Sequence, residues 1–473
     1  MHLQRKTKII ATIGPASESR ENLSRLLAEG VDAARLNFSH GVQADHGRRI
    51  KLIREFERET GKFIGIIADL QGPKMRVGAL PKEGVLLRDD AEVILDTTIS
   101  KYEEGGAIPV PSPIFAKGAS KGSRMFLDDG SLLLEVIGTK GLLGRQFVAR
   151  VLRGGTLYSH KGINVPELKL RANIFEEKDK SDMAYAIRQK VDYIAVSFIR
   201  NGDDMREARK LIGSAPIKLI AKIERPEALQ NLEDIINESD AVMVARGDLG
   251  IETPLWQLPM RQKEIIEKAH KAMKPVIVAT QMLESMTKNA IPTRAEVNDV
   301  ANAVYDSADA VMLSAESASG KYPLESVRMM RQILEETEKD VGEPFLKEKD
   351  GYHSIDVAIG KSAKYVAAQV GAHIILVGTV SGHSARAISR YRPQTCIIAA
   401  TPSEAIARRM SIVWGVSSIV VTGTRTIVEL EKKALTMLKK SRHLSNGDLV
   451  VFVSGAKLGA IGATNAISVT KVL

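Results

Sequence analysis

The chain of 473 residues contains one cysteine, Cys396, and few aromatic residues, which make up 4% of the sequence. A single cysteine excludes an internal disulfide framework and a cysteine-rich metal site, and it is typical of a reducing compartment. No apolar run is long enough to span a membrane, and residues 1–15 lack the apolar core and cleavage site of a secretory signal. We therefore expect a cytoplasmic protein that does not bind a membrane.

Acidic residues are fewer than basic ones, which gives a formal net charge of +10 at pH 7. A basic surface can attract nucleic acid, an acidic membrane or anionic small molecules. The lysines and arginines are spread along the whole chain, and they are not interleaved with the aromatic residues that stack on single-stranded nucleic acid. We therefore expect phosphorylated small molecules as ligands and no nucleic acid.

Three common motifs are also missing: G-x-x-x-x-G-K-[ST], G-x-G-x-x-G and H-E-x-x-H. If the chain binds a nucleotide, it does not do so through a P-loop.

Short apolar runs rich in Ile, Val and Ala alternate with helical patterns, as is typical of strands buried on both faces. Three runs precede residue 74 and five follow residue 159: 8–13, 33–38, 63–70, 193–198, 218–223, 241–246, 275–280 and 310–313. Eight β-α units are the number that closes a (β/α)8 TIM barrel, although a doubly wound open sheet could also hold eight strands.

Polar residues at the ends of these strands favour the closed barrel. They are Thr12, Arg35, Asn37, Asp69, Ser197, Lys222, Glu224, Asp248, Thr280, Ser314 and Glu316. In a closed barrel the carboxyl ends of the strands share one rim, so these groups converge. In an open sheet they would be strung along an edge.

We divide the chain into three predicted domains. Residues 1–73 and 160–343 form the barrel. Residues 74–159 contain short strands separated by Gly, Pro and Asp-Asp-Gly turns, and they predict a small all-β insertion. Residues 344–473 alternate helix and strand, and they predict a C-terminal α/β open sheet that follows a charged linker at residues 345–350.

Glu224 and Asp248 are candidate ligands of a divalent metal ion. Two carboxylates on adjacent strand ends, with no His or Cys beside them, suit a hard ion such as Mg²⁺. The alternative is a solvated Glu224 and a helix N-cap at Asp248. Lys222 favours the metal site, because an ammonium on a buried strand needs an anionic partner. We also expect Gly247 to allow a sharp turn that aims successive backbone N–H groups at one anion, such as a substrate carboxylate.

Two further strand ends carry candidate site residues. Alternation along the second strand places Arg35, Asn37 and Ser39 on one side, which suggests phosphate or cation binding, although a lone inward Arg is often a structural ion-pair partner. Thr280 follows the seventh strand, where it could act in catalysis or cap the next helix.

Several long motifs resemble the pyruvate kinase family. They are Ala-Thr-Ile-Gly-Pro at residues 11–15, residues 35–41, Ala-Lys-Ile-Glu at 221–224, residues 243–250, 279–286 and 312–320, and Tyr-Pro at 322–323. The resemblance covers nearly the whole chain. It implies a catalytic barrel, a lid formed by the insertion, a regulatory C-terminal domain and a homotetramer. The implied reaction transfers the phosphoryl group of phosphoenolpyruvate to ADP and protonates the enolate to pyruvate.

The resemblance also implies a role for each matching residue. Glu224 and Asp248 would hold Mg²⁺ or Mn²⁺, and Lys222 would neutralise the transferring group. Gly247, Asp248 and Thr280 would bind the substrate carboxylate, Arg35 would contact the phosphate, and Thr280 would belong to the proton route. The residues that match positions around ADP or ATP are Thr12, Pro15, Asn37, His40, Arg76 and Lys161.

The chain departs from potassium-dependent members of the family at Leu70 and Lys74, where those members have Thr and Glu. Asn37, Ser39 and Asp69 match the remaining potassium ligands. We expect the Lys74 ammonium to supply the charge that K⁺ supplies elsewhere, so that K⁺ is not required.

The C-terminal domain carries one more candidate site. Thr379, Ser381, Gly382 and Ser384 join a strand to a helix N-terminus and resemble the family's loop for a phosphorylated effector, although an ordinary helix cap explains them equally well. Two other functions stay open for the whole chain: a metal-dependent lyase or aldolase that acts on pyruvate enolate, and a catalytically silent sensor of phosphorylated metabolites.

Overall fold

The computed structural model describes residues 5–128, 130–140, 145–166, 168, 174–341, 354–455 and 464–473. Its largest element is a closed barrel of eight parallel strands, so the predicted TIM barrel is confirmed. The barrel strands are Lys8–Thr12, Ala33–Asn37, Gly65–Asp69, Tyr193–Val196, Lys218–Ile223, Ala241–Ala245, Val276–Ala279 and Ala310–Leu313.

Helices surround this barrel. They are Arg20–Glu29, Gln43–Thr60, Glu177–Arg188, Gly202–Ile212, Pro226–Gln230, Leu232–Glu238, Arg246–Glu252, Leu258–Lys271, Arg294–Tyr305, Ala315–Ala318 and Pro323–Asp340, with 3-10 turns at Leu255–Gln257 and Glu284–Thr287. The start of Arg294–Tyr305 follows from its sequence, because the Thr293 hydroxyl accepts a hydrogen bond from the Glu296 N–H and the Glu296 carboxylate accepts one from the Thr293 N–H.

Alternation along each barrel strand separates two apolar cores. In Lys218–Ile223, for example, Leu219, Ala221 and Ile223 pack against the helices, whereas Ile220 packs inside the barrel. Lys222 shares the inward side of Ile220, because side chains two residues apart lie on the same face of a strand. The strand therefore directs Lys222 into the barrel mouth.

The insertion forms a seven-stranded sheet and a two-stranded sheet. The seven strands, in spatial order, are Met75–Arg76, Gly162–Asn164, Arg124–Leu127, Leu132–Lys140, Gln146–Arg153, Glu92–Asp96 and Ile108–Pro109. Gly155–Leu157 pairs with Val85–Leu87. One short helix, Pro113–Gly118, accompanies these strands.

The C-terminal domain is an open five-stranded sheet. Its strands, in spatial order, are Val416–Val420, Cys396–Thr401, Ile374–Gly378, Leu449–Gly455 and Thr464–Lys471, and only the last is antiparallel. Its helices are Ile355–Val370, His383–Ser389, Glu404–Arg409 and Ile427–Lys440, with a 3-10 turn at Met410–Ile412.

The linker at residues 345–350 and the boundary at 343/344 lie outside the described residues. The boundaries at 73/74 and 159/160 stay predictions, and the sheet of the insertion extends past residue 159 through the strand Gly162–Asn164. No described helix combines the length and the apolar content needed to cross a lipid bilayer. The cytoplasmic location stays a prediction.

A buried polar network joins the barrel to the C-terminal domain. Asp309, just before the eighth barrel strand, forms an ion pair with Arg392 at 3.1 Å and accepts a hydrogen bond from the Trp414 N–H. Arg392 also donates to Nε2 of His270 at 2.7 Å. Burial would raise the pKa of Asp309, but Arg392 and His270 lower it well below its usual range.

We expect the substitution Asp309→Asn to destabilise the protein by about 3–5 kcal/mol at pH 7, because it leaves the buried Arg392 without its counter-charge. The pKa of Asp309 is lower in the folded chain than in the unfolded chain, so this stabilisation is present above pH ~4 and is lost as pH falls further. Urea midpoints followed by tryptophan fluorescence measure the difference. Asp203→Asn, at a mostly exposed ion pair with Arg206, is the control. Equal midpoints for the two variants would contradict the expectation.

Candidate active site

The Lys222 ammonium is the centre of a buried polar cluster at the barrel mouth. Its Nζ lies 2.8 Å from Oε1 of Glu224 and 3.2 Å from Oδ1 of Asp69, and it donates to the Ser197 hydroxyl at 2.7 Å. These residues come from three adjacent barrel strands, and all of them are buried. Barrel closure therefore brings together polar residues that the sequence places up to 155 positions apart.

Burial and charge act in opposite directions on this cluster. Burial alone would lower the pKa of Lys222, but the charges of Asp69 and Glu224 outweigh it and raise that pKa. Burial raises the pKa of Glu224, and the nearby Asp248 carboxylate raises it further against the opposing effect of Lys222. Lys222 is therefore a permanent cation at neutral pH.

Arg35 extends the cluster across the neighbouring strands. Its Nε donates to Oδ2 of Asp69 at 2.6 Å, and its Nη1 donates to the Thr12 hydroxyl at 3.1 Å. Burial would raise the pKa of Asp69, but Lys222 and Arg35 lower it. Arg35 therefore forms the structural ion pair that was one of the two alternatives for it, and its partner is Asp69. The Arg35 side chain is nevertheless 12% exposed.

Glu224 has the features of a metal ligand. Its Oε2 accepts a hydrogen bond from the Phe198 N–H at 2.7 Å, whereas Oε1 is buried and accepts no hydrogen bond of good geometry. The Lys222 charge alone compensates Oε1, and a divalent cation can fill that role. Within the described ranges no three or more His, Cys, Asp or Glu side chains are grouped to hold a metal. Mg²⁺ commonly takes one or two protein carboxylates together with substrate and water oxygens, so Glu224 and Asp248 fit it.

The Lys74 ammonium lies beside Asp248. Nζ is 3.2 Å from Oδ1 of Asp248, and both side chains are about one-fifth exposed. Asn37 is in register with Asp69 on the next strand, and its side-chain oxygen accepts from the Ser39 N–H. Lys74 is thus paired with the expected divalent ligand Asp248, and it lines one cavity together with Ser39 of the expected monovalent set.

Gly247 and Thr280 are hydrogen-bonded to each other. The Gly247 N–H donates to the Thr280 hydroxyl oxygen at 2.7 Å, and that hydroxyl donates to the Ala279 carbonyl at 2.6 Å. The expected sharp turn at Gly247 is wrong, because Gly247 lies in the second position of the helix Arg246–Glu252. Thr280 therefore caps this helix from a neighbouring strand, not the helix that follows it in sequence.

A cavity of about 620 Å³ lies between the barrel mouth and the insertion. Of the residues expected around a nucleotide, His40, Arg76 and Lys161 line it, together with Lys74. Burial and the charges of nearby cations, Arg76 among them, lower the pKa of His40, so its imidazole is neutral at pH 7. Thr12, Asn37 and the exposed Pro15 are not among the lining residues. The three cations make this cavity suitable for an anionic ligand.

One structural contact at the hinge of the insertion had no signal in the sequence. Oδ1 of Asp179 accepts a hydrogen bond from the Gly72 N–H at 3.0 Å across 107 positions of sequence. Gly72 has φ of 67°, and a Cβ there would lie 3.0 Å from the Ser197 side chain, so the hinge requires glycine. Only the pattern Gly-Pro at 72–73 indicated a break there.

The C-terminal loop has the hydrogen bonds of a helix cap. The Gly382 N–H donates to the Thr379 hydroxyl at 2.9 Å, and the His383 N–H donates to the Ser381 hydroxyl at 3.4 Å. The Ser384 hydroxyl is bonded to that of Thr464. This geometry supports the helix-cap alternative, and effector binding stays a prediction.

The comparisons with known proteins agree along the chain. Residues 4–327 match the family model of the pyruvate kinase barrel domain, and residues 357–470 match that of the pyruvate kinase alpha/beta domain. A pyruvate kinase from Geobacillus stearothermophilus is 41% identical over 99% of this chain and 80% of the relative. One from Agrobacterium vitis is 42% identical over 99% of this chain and 97% of the relative. The crystal structure of a pyruvate kinase from Cryptosporidium parvum has a TM-score of 0.90 and 34% identity, covering 99% of this chain and 97% of that one.

Proposed function

The chain belongs to the pyruvate kinase family of glycolytic phosphotransferases, and from that premise we propose how its residues transfer the phosphoryl group of phosphoenolpyruvate to ADP. The bond between phosphorus and the enol oxygen breaks, and a terminal phosphate oxygen of ADP accepts the phosphoryl group. The enolate then takes a proton at its methylene carbon, which gives pyruvate. The observation that supports this assignment best is the buried Lys222 ammonium between Glu224, Asp69 and Ser197.

Each side chain of the site has a role in this proposal. Lys222 neutralises negative charge on the oxygens of the transferring group, which suits a permanently charged ammonium in a water-poor site. Arg35 contacts the phosphate through those guanidinium N–H groups that do not donate to Asp69 or Thr12. The substrate carboxylate is bound by the N–H groups of Gly247 and Asp248 and by the Thr280 hydroxyl. The hydrogen bond between Gly247 and Thr280 must therefore break when substrate binds, so that both groups can donate to the carboxylate.

Glu224 and Asp248 would hold Mg²⁺ or Mn²⁺ in this proposal. When bound, the ion supplies positive charge beside the phosphoryl and enolate oxygens. The buried Oε1 of Glu224 supports this role, because it lacks an aligned hydrogen-bond donor.

The cavity under the insertion is the proposed nucleotide site. Arg76 and Lys161 would pair with the phosphates of ADP, and Thr12, Pro15, Asn37 and His40 would surround the nucleotide as the resemblance implies. Arg76 now donates to the His160 carbonyl and Lys161 pairs with Asp128, so both cations must exchange partners when ADP binds. Closure of the insertion would exclude water that could hydrolyse the phosphoryl group.

A coupled assay for pyruvate, run with phosphoenolpyruvate and Mg²⁺ in the presence or absence of ADP, tests the reaction. We expect pyruvate only when ADP is present. Pyruvate from another precursor without ADP would support a lyase or aldolase. A folded protein that makes no pyruvate would support a sensor, and either result would overturn the proposed function.

We further propose that the reaction does not require K⁺, because Lys74 provides a fixed positive charge 3.2 Å from Asp248. When tetramethylammonium chloride is the monovalent salt in place of KCl, we expect the same activity as in KCl. Lys74→Glu should lower activity without K⁺ by about 10²-fold, the usual size of one electrostatic contact to the transition state, and KCl should restore part of it. Lys82→Glu makes the same charge change at an exposed site and is the control. A wild-type chain that is active only after KCl is added would reject the proposal.

Regulation and assembly complete the proposal. We infer that the loop of Thr379, Ser381, Gly382 and Ser384 can bind a phosphorylated effector, although its present contacts are those of a cap.

A homotetramer is supported by the family and by exposed apolar side chains on the barrel. Leu255, Trp256 and Met260 are 68%, 82% and 67% exposed, which is unusual for a monomer.

A further inference from the structure

We propose that Arg246 is a positioning residue for the reaction, because its guanidinium holds the backbone of Thr280 and Gln281 and so sets the place of the Thr280 hydroxyl. The inference rests on the proposed function, since it concerns how Thr280 is placed for the substrate carboxylate and the proton route. Arg246 itself touches neither.

The backbone that Arg246 holds is strained. Thr280 has φ of 69° and Gln281 has φ of 53°. The left-handed region is disfavoured for residues with a Cβ, and most strongly for a β-branched residue such as threonine. Two successive residues of this kind persist only where the surrounding structure holds them, and such sites concentrate at functional positions.

The Arg246 side chain provides those contacts. Its Nη2 donates to the Thr280 carbonyl at 2.7 Å and its Nε donates to the same oxygen at 3.2 Å. The same Nη2 lies 3.2 Å from the Gln281 carbonyl. Both carbonyls of the strained pair therefore point to one planar guanidinium, an arrangement that a lysine ammonium does not reproduce.

Arg246 is itself fixed. Its Nη1 forms an ion pair with Asp299 of the helix Arg294–Tyr305 at 2.7 Å, and its side chain is only 8% exposed. Asp299 therefore orients Arg246 from outside the site. We expect it to support the same geometry more weakly.

Gly247, the residue after Arg246, also contacts Thr280. The Gly247 N–H donates to the Thr280 hydroxyl oxygen, and the hydroxyl donates to the Ala279 carbonyl. Before substrate binds, Arg246 thus holds the Thr280 carbonyl and the Gly247 N–H holds the Thr280 hydroxyl; the contact from Arg246 is the one that persists when the hydroxyl turns to substrate. A shift of the Thr280 backbone moves its hydroxyl by a similar amount, and displacements near 1 Å can cost about 10²-fold in rate.

The test is Arg246→Lys in the full chain, compared with Asp299→Asn. We expect kcat to fall by about 10²-fold in the first variant and by a smaller factor in the second. The exchange of pyruvate methyl protons with D₂O, which reports the proton route, should fall more than the rate of ATP formation. A loss of folded enzyme would lower both rates by the same factor. Arg261→Lys, at a partly exposed ion pair with Glu264, is the matched control.

Amide hydrogen exchange by mass spectrometry provides a readout independent of activity. Arg246→Lys should increase deuterium uptake in peptides that cover residues 246–250 and 280–286, with little change elsewhere. Unchanged uptake would overturn the proposal that Arg246 holds this backbone. Increased uptake with wild-type kcat would overturn its role in the reaction. A folded wild-type chain without ADP-dependent activity would overturn the proposed function and this role in it, and the exchange data would still decide whether Arg246 holds the loop.

Discussion

Replacing Lys222 with methionine is expected to lower kcat by about 10³-fold or more. Methionine matches the length of lysine but removes the ammonium that contacts both Glu224 and Asp69. Single cations that contact a transferring phosphoryl group contribute about 10³–10⁵ in rate. The raised pKa of Lys222 means that the wild-type group keeps its charge throughout the neutral range, so we assign it an electrostatic role and not that of a proton donor. Steady-state kinetics with saturating phosphoenolpyruvate, ADP and Mg²⁺ measure the loss.

Two controls separate this effect from misfolding. Lys218→Met removes an ammonium from the opposite end of the same strand, where Lys218 forms a partly exposed ion pair with Asp240. It should keep nearly full activity. Lys222→Met also leaves two buried carboxylates without their cation, so its thermal stability should be lower without a divalent ion and should rise when Mn²⁺ is added. A folded Lys222→Met variant with more than a tenth of the wild-type kcat would contradict the proposed role.

The substitution Glu224→Gln is expected to weaken binding of the divalent ion by about 10²-fold and to lower kcat/KM by about 10³-fold. Glutamine is nearly isosteric and can still accept the hydrogen bond from the Phe198 N–H. It removes the negative charge of Oε1, the buried oxygen that lacks an aligned donor. The fold should therefore survive while the metal site is lost.

Electron paramagnetic resonance measures the affinity of the proposed site for Mn²⁺ independently of catalytic activity. Glu227→Gln is the matched control, because Glu227 lies three residues further on, is partly exposed and forms an ion pair with Arg225. It should bind Mn²⁺ as the wild type does. If Glu224→Gln kept wild-type Mn²⁺ affinity, Glu224 would not be a ligand and the proposed site would have to be moved.

Local patterns were sufficient to predict the barrel. Runs such as residues 218–223 and 310–313 coincide with observed strands, because an apolar strand buried on both faces has a composition that few other elements share. The direction of Lys222 into the mouth also follows from alternation along one strand. The carboxyl-end rule then predicted that the polar groups at the rim would converge, and Lys222, Glu224 and Asp69 are in contact there.

The conformation of Gly247 and the ion-pair partner of Lys74 show what local patterns do not determine. Gly247 was expected in a sharp turn, but a short helix starts directly after the strand and contains it. No pattern in the sequence indicated that Lys74 pairs with Asp248, 174 positions away. Its role in place of K⁺ stays a prediction. The direction of Lys74 depends on how the insertion leaves the barrel at Gly72, and no motif around Lys74 encodes that angle.

The amino-acid sequence alone determined which strands exist, which side chains face the barrel interior and which chemical groups stand at the rim. These properties depend on neighbours within a few residues, so they can be inferred from composition and alternation. The tertiary structure alone decided which rim groups pair with each other, that Arg246 reaches the carbonyls of Thr280 and Gln281, and that Asp309 joins the barrel to Arg392. Such contacts need distances of about 3 Å between segments far apart in the chain, and only closure of the barrel and packing of the domains set those distances.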